Sequence, residues 1–336
     1  MDHIRLKLYD IWSLDQSLVD IVSGSNLQDI LINLNSLAAE CHARLSCQSC
    51  SSLRAHYRSI QCAIASLELE VSLQSALNAL DKALIVSGSN SEVLNLVDRI
   101  EALMPPCEGC EDIYNSGELE WACEIQKGNS ELKVFIEPSV ITFINECNGP
   151  FLLRGIIDGW KALKSWRDPC YLSHLLGHRL VPVELGRSYL DNSWSQSFMI
   201  FKRFMLDYVF SPQSDEIAYL AQFDLLSFAP KLASDVDIPE YCFIELSHSS
   251  NSAPLYRNVW IGMKGCTTPA HVDPYDNLFC QVVGVKLIRL FDPNSYDPGI
   301  PTYVHLLMPG ESIFIPKGWW HQLESNSFNI SISHWF

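Results

Sequence analysis

From about Val259 to the C-terminus the chain is a series of short apolar runs, each closed by a turn bearing Pro or Gly. The runs are NVWIGM, HVDPYDNLFCQVVG, KLIRLFD, YVHLLM, SIFIP, HQLESN and FNISISHWF. Pieces this short and this regularly interrupted read as strands. Many short strands with such turns predict a barrel or sandwich of the jelly-roll kind.

Two of these runs carry a distinctive set of side chains. His271-Val272-Asp273 lies in the first part, and His321 follows the run Ile313-Phe314-Ile315-Pro316-Lys317-Gly318-Trp319-Trp320. In a strand, residues i and i+2 point to the same side, so His271 and Asp273 can reach one ion. A third ligand distant in sequence can join them if the sheet brings it alongside. Two imidazoles and one carboxylate cover one face of an octahedron and leave the other open, which is the arrangement of non-haem Fe(II) oxygenases. Taken singly, each histidine could be an ordinary core residue. Both, however, sit next to turns, where the mouth of a barrel forms a ligand site. Lys286 opens the strand after the Gly284 turn. It is either a solvated strand end or a lysine entering an apolar interior, and the second case demands an anionic partner.

Upstream the character is different. Residues 1 to about 105 read as helical, most clearly over Ser59–Val86, where Ile60, Ile64, Leu67, Val71 and then Leu73, Leu77, Leu80, Leu84 recur at three- and four-residue steps. Ser87-Gly88-Ser89-Asn90 ends that piece, and a further helix runs from Ser91 towards Pro105-Pro106. This gives a helical domain over 1–110, read as a docking element, a Gly/Ser/Asn/Glu-rich linker over 111–130, and a barrel with flanking helices over 131–336. Within the last, Val134–Ile136, Phe151–Arg154 and Leu180–Leu185 are expected strands. Val140 onward is a helix capped by Ser139, and Phe198–Phe210 is an amphipathic helix.

The 336 residues suit about two domains. The net charge of −16 argues against broad attraction to nucleic acid and suits a basic protein or peptide partner. No apolar run is long enough to span a membrane, and the first residues lack a secretory signal. Twelve cysteines without such a signal read as reduced thiols. Cys47-x-x-Cys50 and Cys107-x-x-Cys110 allow a Cys₄ zinc site as the alternative.

The series HVD…KLIRL…IPKGWWH, with the runs PVELGRSYLDNSWSQ (182–196), AYLAQ (218–222), IPEYC (238–242) and the aromatic end SISHWF, resembles the Jumonji-C (JmjC) oxygenases over roughly residues 130–336. The resemblance implies an α+β protein whose C-terminal part is a double-stranded β-helix, the cupin-like jelly roll, preceded by the helical domain. It implies that His271, Asp273 and His321 bind Fe(II), and that Tyr189, Thr268, Asn277 and Lys286 hold 2-oxoglutarate, with O₂ the other cosubstrate. Trp260 and Trp335 fall where aromatic walls of the substrate pocket are expected, though either could be plain core. The implied reaction is hydroxylation of a protein side chain, arginyl first, with demethylation of histone N-methyl-lysine as the alternative and residence in the nucleus. Readings of another class are a catalytically silent scaffold and a cupin holding zinc or manganese. The chain departs from the family in the joint after KLIRLFDP, where only Asn294–Thr302 replaces a long loop.

Overall fold

The computed structural model describes residues 18, 27–47, 50–69, 71–107, 130–186, 190, 193–210, 216–244, 255–294, 297 and 300–336. The chain divides into two compact units. One takes in residues up to Cys107 with Leu176–Val181 and Ile200–Lys202; the other takes in Glu108–Leu175, Pro182–Met199 and Arg203–Phe336. The expected linker at 111–130 lies outside the described residues apart from Ser130, as does Cys110 of the second Cys-x-x-Cys pair. Among the described residues no helix is long and apolar enough to cross a membrane.

The first unit is built on helices α1 (Leu27–Cys47), α2 (Ser51–Glu68), α3 (Leu73–Ser87) and α4 (Ser91–Glu101). Their buried stripes follow helical spacing: Ile30, Leu34, Ala38 and Cys41 on α1, and Val93, Leu96, Val97 and Ile100 on α4. The single helix expected over Ser59–Val86 is two. The apolar phase slips between Val71 and Leu73, Val71 is 66% exposed, and the Ser72 hydroxyl accepts from Ser75 N to start α3 at its own cap. A buried ion pair lies within this unit. Asp81 on α3 accepts from Arg179 Nε at 2.8 Å and from the Leu180 amide at 2.7 Å, with side chains 0% and 4% exposed. Removing Asp81 leaves the buried Arg179 charge with only the Glu101 carboxylate, 3.9 Å from its Nε. Asp81→Ala is therefore expected to lower stability by on the order of 3 kcal/mol, read as a shift of the first transition in urea. An unchanged midpoint would show that the pair contributes nothing.

The second unit contains β1 (Lys133–Ile136), β2 (Phe151–Arg154), β3 (Leu180–Leu185, whose first residues belong to the helical unit), β4 (Ser195–Ile200), β5 (Ala218–Phe223), β6 (Tyr256–Gly262), β7 (Thr267–His271), β8 (Asn277–Val283), β9 (Lys286–Phe291), β10 (Tyr303–Leu307), β11 (Ser312–Ile315), β12 (Trp320–Ser325) and β13 (Asn329–Trp335). Among the described residues they form a nine-stranded sheet in the order β1-β2-β11-β8-β13-β6-β5-β3-β4 and a four-stranded sheet in the order β10-β9-β12-β7. Apart from β1 on β2, the registered pairs are antiparallel, so the jelly-roll expectation holds. Every second residue of each strand points inward. Phe279, Ile288, Leu290, Ile313, Ile315 and Leu323, drawn from both sheets, meet in one core.

The expected helix at Phe198–Phe210 is instead the end of β4, one helical turn over Phe201–Phe204, and a π-helix over Met205–Phe210. The β8–β9 turn has room only for glycine. Gly284 has φ +72°, and a Cβ there would sit 1.8 Å from the Phe328 carbonyl oxygen. This turn sets the register that delivers Lys286 to the interior.

Candidate metal centre and adjoining pocket

β12 pairs antiparallel with β7 so that His321 stands directly opposite His271. Strand register thus joins two residues that the sequence keeps far apart. Asp273 is not on a strand with His271 as expected: β7 ends at His271 and Asp273 lies in the turn that follows, where its backbone carbonyl accepts from Gly318 N in the turn before β12. Asp276 Oδ1 accepts from Lys317 N at 2.8 Å and ties the same two turns together.

Each histidine spends Nδ1 on a carbonyl two residues earlier: His271 on Pro269 at 2.8 Å and His321 on Trp319 at 3.0 Å. Carbonyls only accept, so both Nδ1 atoms donate and the Nε2 atoms are left to face inward. Each Nε2 lies 3.5 Å from a different oxygen of Asp273. The rings are 4.2 Å apart between centroids. Burial works to lift the Asp273 carboxyl, but the two imidazoles hold it well below the ordinary carboxylate range. Burial also works against charging His271, and Asp273 reverses this, raising it.

Two imidazole nitrogens turned onto one carboxylate call for a cation among them. The three ligand atoms lie within 4.8 Å of one another. The neutral-nitrogen, neutral-nitrogen, carboxylate set fits a divalent first-row ion such as Fe(II), with one coordination face left open. Asn277 Nδ2 donates to Asp273 Oδ2 at 3.2 Å and orients it.

These three side chains line a cavity that Lys286 also lines. Lys286 shares the inward face of β9 with Ile288 and Leu290 and is 1% exposed. Its Nζ donates to the Tyr219 hydroxyl at 3.0 Å and lies 5.3 to 5.8 Å from the ring centroids of Phe279, Tyr219 and Trp260. Among the described residues no carboxylate lies within ion-pair distance of it. Burial pulls its ammonium down to about 7. Of the two earlier possibilities, the interior lysine is the one found. Thr268 hydrogen-bonds the Tyr219 hydroxyl, whose phenol burial lifts well above the ordinary tyrosine range. Asn277 Oδ1 is buried with no partner among the described residues.

The cavity therefore gathers Thr268, Asn277 and Lys286. Tyr189 lies outside the described residues. Tyr219, in β5, is the tyrosine found against Lys286. Nothing local to AYLAQ marks Tyr219 as a pocket residue; only the pairing of β5 with β6 brings it there. Trp260 and Trp335 both border the cavity. Trp260 is also core, with Nε1 donating to Ser333 Oγ at 3.1 Å. In the short joint after β9, Thr302 Oγ1 accepts from Asp292 N at 3.0 Å and closes the turn on itself. Residues 295, 296, 298 and 299 of that joint lie outside the described residues.

A jelly roll with this site defines a class. The sequence matches the family described as a cupin-like domain over residues 140–298 and 300–336, more than half of the chain, and the protein belongs to that family, in its JmjC branch. Among curated proteins it is 30% identical over 243 residues to Jumonji C domain-containing protein 5 of Drosophila melanogaster, covering 62% of this chain and 60% of that one. It is 33% identical over 216 residues to lysine-specific demethylase 8 of Xenopus tropicalis, covering 56% and 48%. It is 30% identical over 217 residues to lysine-specific demethylase JMJ30 of Arabidopsis thaliana, covering 56% and 49%. The chain spans about half the length of the curated relatives it matches.

Proposed function

We propose that the protein is an Fe(II)- and 2-oxoglutarate-dependent dioxygenase that oxidises a side chain of a protein substrate. One observation carries this reading: a buried lysine without a carboxylate partner faces the same cavity as a two-histidine, one-carboxylate centre. A diacid satisfies both ends. One carboxylate meets Lys286 and the Tyr219 hydroxyl; the oxo-acid end is left for the metal. When bound, Fe(II) couples decarboxylation of 2-oxoglutarate by one O₂ to oxidation of a substrate C–H bond, giving succinate, CO₂ and the hydroxylated side chain. The protein's share is positioning and exclusion of water. His271, Asp273 and His321 hold the ion, Asn277 holds Asp273, and Lys286 with Tyr219 and Thr268 fixes the distance between the diacid and the centre.

The first substrate reading is an arginyl side chain. The net charge of −16 and the aromatic cavity wall suit a cation. The second is N-methyl-lysine, favoured by the names of the two demethylase relatives. The same oxidation at an N-methyl carbon gives a hydroxymethyl group that leaves as formaldehyde. Nuclear residence belongs to this proposal as well. Mass spectrometry of arginyl and methyl-lysyl peptides incubated with Fe(II), 2-oxoglutarate and O₂ tests it. Gain of one oxygen on arginine is expected. Loss of a methyl from lysine would move the assignment to the second substrate. Absence of succinate and of any peptide product would sink the enzyme reading and leave a scaffold.

A further inference from the structure

We infer that Tyr275, backed by Tyr256, positions Trp335 as a stacking plate at the cavity mouth that selects a planar cationic side chain. The inference rests on the site proposed above and names what faces its open side.

The cavity opens on the side of His271. The side chain of His271 is 28% exposed against 2% for His321, and Val272 between the two ligands is 42% exposed. On this side three aromatic residues meet, two by strand register and one from a turn. Trp335 of β13 stands between Tyr256 of β6 and Asn277 of β8, on the inward face shared with Trp260 and Phe279. Tyr275, two residues past Asp273, enters from the turn before β8. Its ring is stacked on Trp335 at 6.2 Å between centroids and 27° between planes. Tyr256 meets Tyr275 in turn at 5.6 Å and 50°, and is itself 44% exposed.

Trp335 thus has Tyr275 against it and the cavity beside it. A ring held by stacking keeps one orientation and presents a fixed π-face to an incoming guanidinium, which stacks on indole in preference to other rings. Trp335 Nε1 is buried with no partner among the described residues, an unmet donor on a residue that lines the cavity.

The test compares Tyr275→Leu with Tyr275→Phe in the full chain. A stacked aromatic pair is worth about a three- to tenfold change in affinity. Tyr275→Leu should raise the KM for an arginyl peptide by about that factor while the KM for 2-oxoglutarate stays put. Tyr275→Phe keeps the ring and should stay within about twofold. Equal loss in both variants, or a 2-oxoglutarate KM that rises in step, would overturn the inference. Calorimetric titration of the peptide into the chain loaded with Mn(II) and 2-oxoglutarate separates this from the oxygenase reading. Wild type that binds the peptide but never oxidises it, with weaker binding in Tyr275→Leu, keeps the plate and removes the reaction. Wild type that binds neither arginyl nor methyl-lysyl peptide removes the plate.

Discussion

Replacing Lys286 by methionine is expected to make the ligand-free protein more stable and unable to hold 2-oxoglutarate. The ammonium is buried among Phe279, Tyr219 and Trp260, and its desolvation is offset by one neutral hydroxyl. Its pKa is down at about 7 from the ordinary 10.5. Between those values the unfolded chain binds a proton that the folded chain has released. Stability of the ligand-free protein therefore rises with pH across the window from about 7 to 10.5. Methionine keeps the length, removes the amine and abolishes that slope. A thermal midpoint higher by about 5 °C at pH 7 is expected for a domain of this size.

The same substitution removes the cation opposite the distal carboxylate. A buried charge left without its partner costs about 3–5 kcal/mol, so affinity for 2-oxoglutarate should fall by about a hundredfold or more. In the wild type, binding the diacid requires Lys286 to carry its proton. Affinity should weaken towards tenfold per pH unit above about pH 7, with one proton taken up on binding. Thermal scans and calorimetry in buffers of different ionisation enthalpy check both halves. A less stable Lys286→Met protein, or one that binds 2-oxoglutarate as before, would refute this account of the lysine.

Asp273→Ala carries the second large effect. Asp273 supplies the oxygen donor of the centre and meets both Nε2 atoms at 3.5 Å. Without it two neutral imidazoles remain, and metal affinity should drop by a factor well above the tenfold to hundredfold that orienting residues contribute. Succinate release should fall to background. His321→Ala should do as much, and the double variant no more, because the three ligands act as a unit. Retention of stoichiometric ion binding in Asp273→Ala would place the ion elsewhere.

What could be read from the residues alone, and what could not, follows from distance in sequence. Most strands from Val259 onward are local patterns, but the run from His271 to Gly284 divides into the end of β7, a turn and β8; the helix at Val140 is marked by its Ser139 cap, which accepts from Thr142 N. His321 was found because a specific aromatic turn precedes it. The break between α2 and α3 was visible only as a phase slip of two residues at Val71. The end of β4 was hidden because Phe198, Phe201 and Met205 are spaced as on a helix. Tyr219 was missed because its contact with Lys286 depends on pairing of β5 with β6, which no local pattern records. The meeting of Tyr256 with Trp335 is likewise a product of register between β6 and β13, and Tyr275 joins them from the turn before β8.

The most direct measurement is a titration of Mn(II), a spin-active stand-in for Fe(II), followed by electron paramagnetic resonance with and without 2-oxoglutarate. One ion per chain is expected, bound more tightly when 2-oxoglutarate is present. Lys286→Met should keep the ion and lose the tightening, while Asp273→Ala should lose both. Absence of a stoichiometric ion in the wild type, or tightening that survives in Lys286→Met, would contradict the shared site.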